Sequence, residues 1–129
     1  MASQRLAVVS STGPDGPPQS AVVGIAVTPE LEIVFDTLTA SRKCQNLLLR
    51  HACSLVLGWD NERTVQYEGV AEDYGKQEEG PWKEIYFQVW PDGRERLSWP
   101  GLVYFVISPK WIRYSDFNKH PPEIVEFTF

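Results

Sequence analysis

The chain has little sulfur and little histidine: two cysteines, one methionine and two histidines among 129 residues. Cys44 and Cys53 form neither a metal-ligand spacing nor a disulfide framework, which makes a reducing cytoplasm the expected compartment. His51 and His120 lie far apart, and no Ser-His-Asp or zinc pattern accompanies them, so the residues suggest no catalytic constellation and no metal site. No long apolar run offers a membrane span, and the N-terminus lacks the apolar core of a signal peptide. Positive charge is in deficit: 12 Lys and Arg against 17 Asp and Glu leave a net charge of −5. That balance argues against a general nucleic-acid binder. No internal repeat, linker or low-complexity stretch appears, so residues 1–129 are expected to form one domain, long enough for a real core. An apolar content of 43% with 10 Pro and 9 Gly fits a globular, turn-rich protein.

What is present is β-type alternation punctuated by turns. Leu6 to Ser10 (LAVVS) reads as a short strand. Gly13 to Pro18 (GPDGPP) reads as a hairpin connection, with Asp15-Gly16 as the turn and the prolines stopping pairing. Gln19 to Val27 (QSAVVGIAV) is the partner strand, where Gly24 marks a bulge or a close backbone approach. Leu31 to Thr37 (LEIVFDT) completes an antiparallel meander. A helix from about Ala40 to Arg50 follows, with Thr39 as N-cap and Cys44, Leu47 and Leu48 facing the sheet. Cys53 to Trp59 and Thr64 to Glu72 are further strands. In the second, Thr64, Gln66 and Glu68 share one face, with Val65, Tyr67 and Val70 on the other. Gly75 to Trp90 begins polar and becomes an amphipathic helix with Trp82, Ile85, Tyr86 and Val89 as its stripe. Leu102 to Ser108 and Trp111 to Phe117 read as two strands joined by Pro109-Lys110, and Ile124 to Phe129 as a terminal strand. The pattern predicts a mainly β fold with helical covers, an antiparallel barrel of about six to eight strands with two main helices, because closure removes exposed edges.

One feature cuts across this pattern. The helix after Thr37 opens with Ser41, Arg42 and Lys43. Cations are poorly placed beside the partial positive charge of a helix N-terminus, but they suit a bound phosphate there. A solvated helix start that happens to be basic is the alternative.

The series LAVVSSTGPDGPPQSAVVGIAV, IVFDTLTASRKCQNL and ERTVQYEGVAE, followed by VYFVISPKWIRYSDF, resembles the pyridoxamine 5′-phosphate oxidase-like family over nearly the whole chain. The most specific piece is the strand–turn–SRK–helix unit downstream of the G-P-D-G-x-P hairpin. The resemblance implies an antiparallel split β-barrel that binds flavin mononucleotide (FMN), and a homodimer with two flavins at the subunit interface. It implies that Arg42 holds the phosphate as a fork and Lys43 as a point charge, with Ser41 adding a hydrogen bond. It places main-chain groups of Ala21, Val22, Val23 and Gly24 along the flavin ring; ordinary strand packing is the alternative for Val22 and Val23. Asp36 and Thr37 fall where the family has a strand-end pair near the ribityl chain or phosphate. Thr37 is preferred, since an anionic Asp36 repels phosphate and fits a turn role equally well. Thr64 stands where the pyridoxamine oxidases carry a flavin-contacting glutamine, and Gln66 lies two residues on; plain solvent exposure is the alternative for Gln66. Trp111 and Arg113 are further candidates to cover the flavin or substrate.

The departures concern the substrate end. The family's oxidases carry a lysine at the end of the second strand and an arginine at its start, where this chain has Ala26 and Ala21. They also carry E-F-W and R-L-x-P motifs, absent here. Oxidation of pyridoxamine phosphate is therefore not expected. The resemblance implies an FMN-dependent oxidoreductase acting on an unidentified small substrate or electron donor. The alternatives are a non-catalytic flavin, electron-transfer or stress-related protein, or the same fold holding a deazaflavin or haem.

Overall fold

The computed structural model describes residues 1, 3–75 and 79–129. Among them are eight strands: β1 (Leu6–Thr12), β2 (Pro18–Gly24), β3 (Ala26–Val27), β4 (Ile33–Leu38), β5 (Ala52–Leu57), β6 (Arg63–Gly75), β7 (Leu102–Asp116) and β8 (Glu123–Thr128). Three helices accompany them: α1 (Arg42–Leu49), α2 (Pro81–Val89) and the short α3 (Gly93–Arg96). The strands form one antiparallel sheet in the order β2-β1-β5-β6-β7-β4-β3, with β8 also on β7. The sheet curls into the expected split barrel with helical covers.

The curl depends on β6 and β7, which pair along most of their lengths. The first half of β7 also pairs with β4, and its second half with β8. The sequence pattern suggested two strands joined at Pro109-Lys110. Instead one strand bends there: register slips so that Glu68 faces Trp111 and Gly69 faces Pro109. Proline has no N–H for the ladder, so the pairing tolerates it only at such a bulge. Gly69 is required opposite it, because a Cβ would lie 2.5 Å from the Ser108 carbonyl oxygen and 2.7 Å from Ile107 Cγ2. The extra residue, Lys110, lies on β7, so β6 keeps its alternation through the slip: Val65, Tyr67, Gly69 and Ala71 are the buried inward set, and Val70 is half-buried on the other face.

Two apolar clusters explain which runs alternate and which do not. The barrel interior holds Val9, Ile33, Phe35, Leu55, Tyr67, Phe105 and Ile107, with Phe35 and Phe105 stacked at 5.6 Å. A second cluster lies under α2, where Trp82, Tyr86 and Phe87 pack on Val34, Leu102, Tyr104 and Val106. β4 and the start of β7 are thus covered on both faces, and their near-continuous apolar runs follow from that. In β6 only one face is covered, so polar residues alternate.

The strand expected over Gln19 to Val27 is broken at Ile25, where the chain leaves β1 and begins pairing with β4. The Trp90 ring lies against Gly24, 2.7 Å from where a Cβ would sit, and Trp90 Nε1 donates to the Ile25 carbonyl at 3.0 Å. Arg5 stacks over the same ring at 4.5 Å. The close approach expected at Gly24 is therefore that of an indole ring.

The expected helix from Gly75 is shorter. Gly75 ends β6, α2 begins at Pro81 with proline in its first turn, and the polar stretch 76–78 lies outside the described residues. The buried stripe of α2 is Trp82, Tyr86 and Phe87, while Ile85 and Val89 are half-buried. In α1 the buried apolar residues are Cys44 and Leu47; Leu48 is 40% exposed, because Asn46 takes the third inward position.

Candidate functional site: the corner between β4 and α1

β4 alternates strictly at its end. Phe35 and Thr37 turn toward the barrel interior and are buried, and Asp36 turns to the α2 side. The chain then tightens into α1. Ser41, not Thr39, is the N-cap: its backbone is extended and its Oγ accepts from Cys44 N at 3.2 Å. Thr39 lies too far upstream, where its N–H donates to the Gly101 carbonyl at 2.8 Å. That bond also brings the loop carrying Trp99, 48% exposed, against the same corner.

Thr37 Oγ1 and Ser41 Oγ are 2.9 Å apart. One hydroxyl proton serves that bond, and Ser41 Oγ also accepts from Cys44. One O–H of the pair is therefore left to donate outward. Arg42 and Lys43 occupy the first turn, whose N–H groups have no intrahelical partners. Among the described residues, neither side chain makes an ion pair, whereas Arg63, Lys83, Arg94, Arg96, Arg113 and Lys119 all do. Arg42 is exposed and Lys43 half-buried. The corner thus gathers two unneutralised cations, two orphan amides and a spare hydroxyl, a donor set suited to an anion with several oxygens.

Two residues that the sequence reading missed hold the corner in place. Asn46, 3% exposed, donates through Nδ2 to Ser11 Oγ at 3.0 Å and Gln19 Oε1 at 2.9 Å. Arg50 Nε donates to the Thr12 carbonyl at 2.7 Å. Together they pin α1 to the β1–β2 hairpin. The available signal was an amide between Cys44 and Leu47 on the helix's apolar side.

Asp36 is engaged elsewhere. It accepts from Arg96 Nε at 2.8 Å, and Arg96 Nη1 also donates to Asp92 at 2.8 Å. Burial, with Asp36 adding to it, pushes the nearby Tyr104 phenol up to about 12. The two cysteines are not poised nucleophiles. Burial pushes the Cys53 thiol up to about 12. The Cys44 thiol is raised as well, chiefly by burial and then by Asp73, with Lys43 opposing.

The strand-borne candidates divide between the two faces. Val23 is buried and Ala21 half-buried on the inward side, while Val22 is 63% exposed on the outward side. Gly24 is covered by Trp90 as described. Thr64, half-buried, and Gln66, exposed, face outward from β6. Register places Val22, Val8, Val56, Gln66 and Arg113 in one row across the outward face. Three strand spacings separate Val22 from Gln66, roughly 14 Å. Trp111 shares the outward face, and Arg113 Nε lies 3.6 Å from Glu126. α1 packs on the inward side through Cys44 and Leu47. Within one chain, the α1 corner and Gln66 therefore lie on opposite sides of the sheet. Among the described residues no group of His, Cys, Asp or Glu is arranged to hold a metal, and no helix is long and apolar enough to cross a membrane.

Comparison with known proteins agrees with the fold. A curated pyridoxine/pyridoxamine 5′-phosphate oxidase from a Nocardioides species is 30% identical over 140 aligned positions, covering 93% of this chain. This chain spans 64% of that relative's length. Several solved structures share the fold. A pyridoxamine 5′-phosphate oxidase-related, FMN-binding protein from Nostoc punctiforme has a TM-score of 0.71 at 11% identity, over 97% of this chain and 86% of that one. A haem-binding protein from Mycobacterium smegmatis has a TM-score of 0.79 at 14% identity, over 98% and 54%. An F420 reductase has a TM-score of 0.63 at 20% identity, over 83% and 87%. The family model described as pyridoxamine 5′-phosphate oxidase matches residues 1–116, and with it the chain belongs to the pyridoxamine 5′-phosphate oxidase family.

Proposed function

We propose that this protein is a flavin-dependent oxidoreductase that binds FMN with its phosphate on the first turn of α1. The observation that carries the reading is the set of unneutralised donors at that corner: Arg42, Lys43, their main-chain amides and the Thr37–Ser41 hydroxyl pair. A phosphate dianion matches them in charge and in number of acceptors. Arg42 supplies a planar fork and Lys43 a point charge, while the helix start contributes aligned N–H groups. Asp36 is held by Arg96 away from this set, which removes a repulsive carboxylate from the phosphate.

When bound, FMN supplies the redox chemistry through its ring system. The chain's own groups at the start of α1 would hold its phosphate end. Hydride transfer to a flavin calls for no protein acid or base, so the reading needs no catalytic dyad. Ala26 is fully buried under α2, where the family's oxidases carry a substrate lysine. The substrate is accordingly a small molecule other than pyridoxamine phosphate.

The same reading makes the protein a homodimer. Gln66 and Thr64 face away from the α1 corner of their own chain, so they reach a flavin only across a subunit boundary. Leu6, Val22 and Val56, exposed on that outward face, suit burial against a second copy. Two buried free thiols fit a cytoplasmic setting. A deazaflavin makes the same demand on the phosphate corner and is the second reading. FMN is preferred to haem because the donor set at the start of α1 suits a phosphate with several oxygens.

Visible absorbance of the purified protein, with identification of the ligand released on denaturation, tests this directly. A yellow protein that releases FMN is expected. A colourless protein that takes up no added FMN refutes the reading. Turnover of reduced nicotinamide with a panel of acceptors then separates an enzyme from a flavin carrier.

A further inference from the structure

We propose that the end of the barrel opposite α1 is a second ligand site, one that takes a small apolar molecule ending in a carboxylate. A cavity of about 520 Å³ opens there, between the residues that precede β1 (Met1, Ser3 and Gln4), the β5–β6 turn and β8. Leu31, Val65, Ile112, Tyr114, Val125 and Phe127 form its wall. Its volume lies within the roughly 300–1,000 Å³ usual for small-molecule pockets. Val65 and Ile112 make a buried floor, whereas Val125 and Phe127 remain 37% and 51% exposed, apolar wall that no described part of the chain covers.

Arg63 is the charged side chain among the lining residues. Its Nε lies 3.4 Å from Asp116, and it remains 53% exposed. Asp116 is buried and accepts from Asn118 N and Nδ2, each at 3.0 Å, which holds its carboxyl below the usual range. Asp116 thus orients Arg63 without exhausting its five donors. An apolar body on the floor and an anionic end on Arg63 match this lining.

The rim is also where unfavourable backbone collects. Leu31, Asn61 and Glu62 are the non-glycine residues with positive φ among the described residues, at 63°, 58° and 59°. Leu31 lines the cavity, and the other two form the turn between its lining residues Gly58 and Arg63. Such conformations persist where the surroundings enforce them, commonly at ligand sites. Tyr67 enforces one of them, its hydroxyl donating to the Leu31 carbonyl at 2.8 Å.

The test is a fluorescence titration with anilinonaphthalene sulfonate, followed by displacement with decanoate and with decanol. Saturable binding is expected, with decanoate the stronger competitor. Val125→Trp, on the exposed edge strand, fills the cavity and should abolish binding. Arg63→Gln should weaken decanoate about tenfold, the scale of one charged hydrogen bond, and leave decanol unchanged. Absence of saturable binding, or probe binding unaffected by Val125→Trp, overturns the proposal. So does probe binding that disappears as protein concentration rises, which would assign the mouth to a second copy of the chain. Flavin content, measured on the same samples, should not change in either variant, so this site and the cofactor reading can fail separately.

Discussion

Replacing Arg42 by alanine should weaken FMN binding while leaving the fold intact. Arg42 is exposed and pairs with no carboxylate among the described residues, so its loss removes no folded-state contact of consequence. Exposed substitutions of this kind stay within about 0.5 kcal/mol. The sign should even favour the variant, because a cation at a helix N-terminus opposes the dipole by about 0.3–1 kcal/mol at low salt. Against the phosphate, the same side chain provides charged hydrogen bonds worth about 1.5–3 kcal/mol. At 1.4 kcal/mol per decade, the dissociation constant should rise roughly 10- to 150-fold. Calorimetric titration of the flavin-stripped protein with FMN measures that change, and urea denaturation of the same preparation measures stability. Riboflavin, which lacks the phosphate, should bind the variant and the parent equally. The FMN penalty should shrink as salt rises, since the site is open to solvent. Unchanged FMN affinity, or an equal loss for FMN and riboflavin, refutes the phosphate assignment.

Further outcomes follow from the packing. Arg96→Met leaves Asp36, whose side chain is 14% exposed, without its cation, and should cost about 2–4 kcal/mol in urea denaturation. Adding Asp36→Asn should recover part of that loss; a double variant no more stable than the single one would count against the pair. Gly69→Ala places a Cβ 2.5 Å from a backbone carbonyl oxygen and should cost about 3 kcal/mol, the upper range for overpacking. A neutral result would show that the bulge at Pro109 can shift. Stability should also fall in alkali. Cys53 and Tyr104 keep their protons up to about 12 in the folded chain, but lose them near 9 and 10 when unfolded. The folded state therefore binds more protons in that window, and stability declines as pH rises from 9 toward 12. Flat denaturation midpoints across it would contradict the burial of both groups.

Much of the corner between β4 and α1 is legible because it is local. Ser41, Arg42 and Lys43 are consecutive, and a helix after a strand end brings them together without help from distant residues. The N-cap was misplaced by two positions because Thr39 and Ser41 have equivalent chemistry; a backbone bond from Thr39 to Gly101, far along the chain, decides between them. Asp36 illustrates the harder case. Its partner Arg96 is 60 residues away, in a segment with weak periodicity, so no spacing in the sequence announces the pair. Asn46 and Arg50 were likewise silent, since their partners lie on the hairpin.

Composition, alternation and turn residues determined by themselves that the chain is mainly β, with one helix between β4 and β5 and another before β7. Those are local properties, set by side-chain period and by where glycine and proline can sit. Tertiary structure alone decided that β7 runs unbroken through Pro109, because only the bulge opposite Gly69 lets the ladder pass a residue without an N–H. It also decided which side of the sheet each candidate faces. Val22 and Gln66 share the outward row, whereas α1 closes the inward side. That division comes from strand register, and a slip of one residue would reverse it.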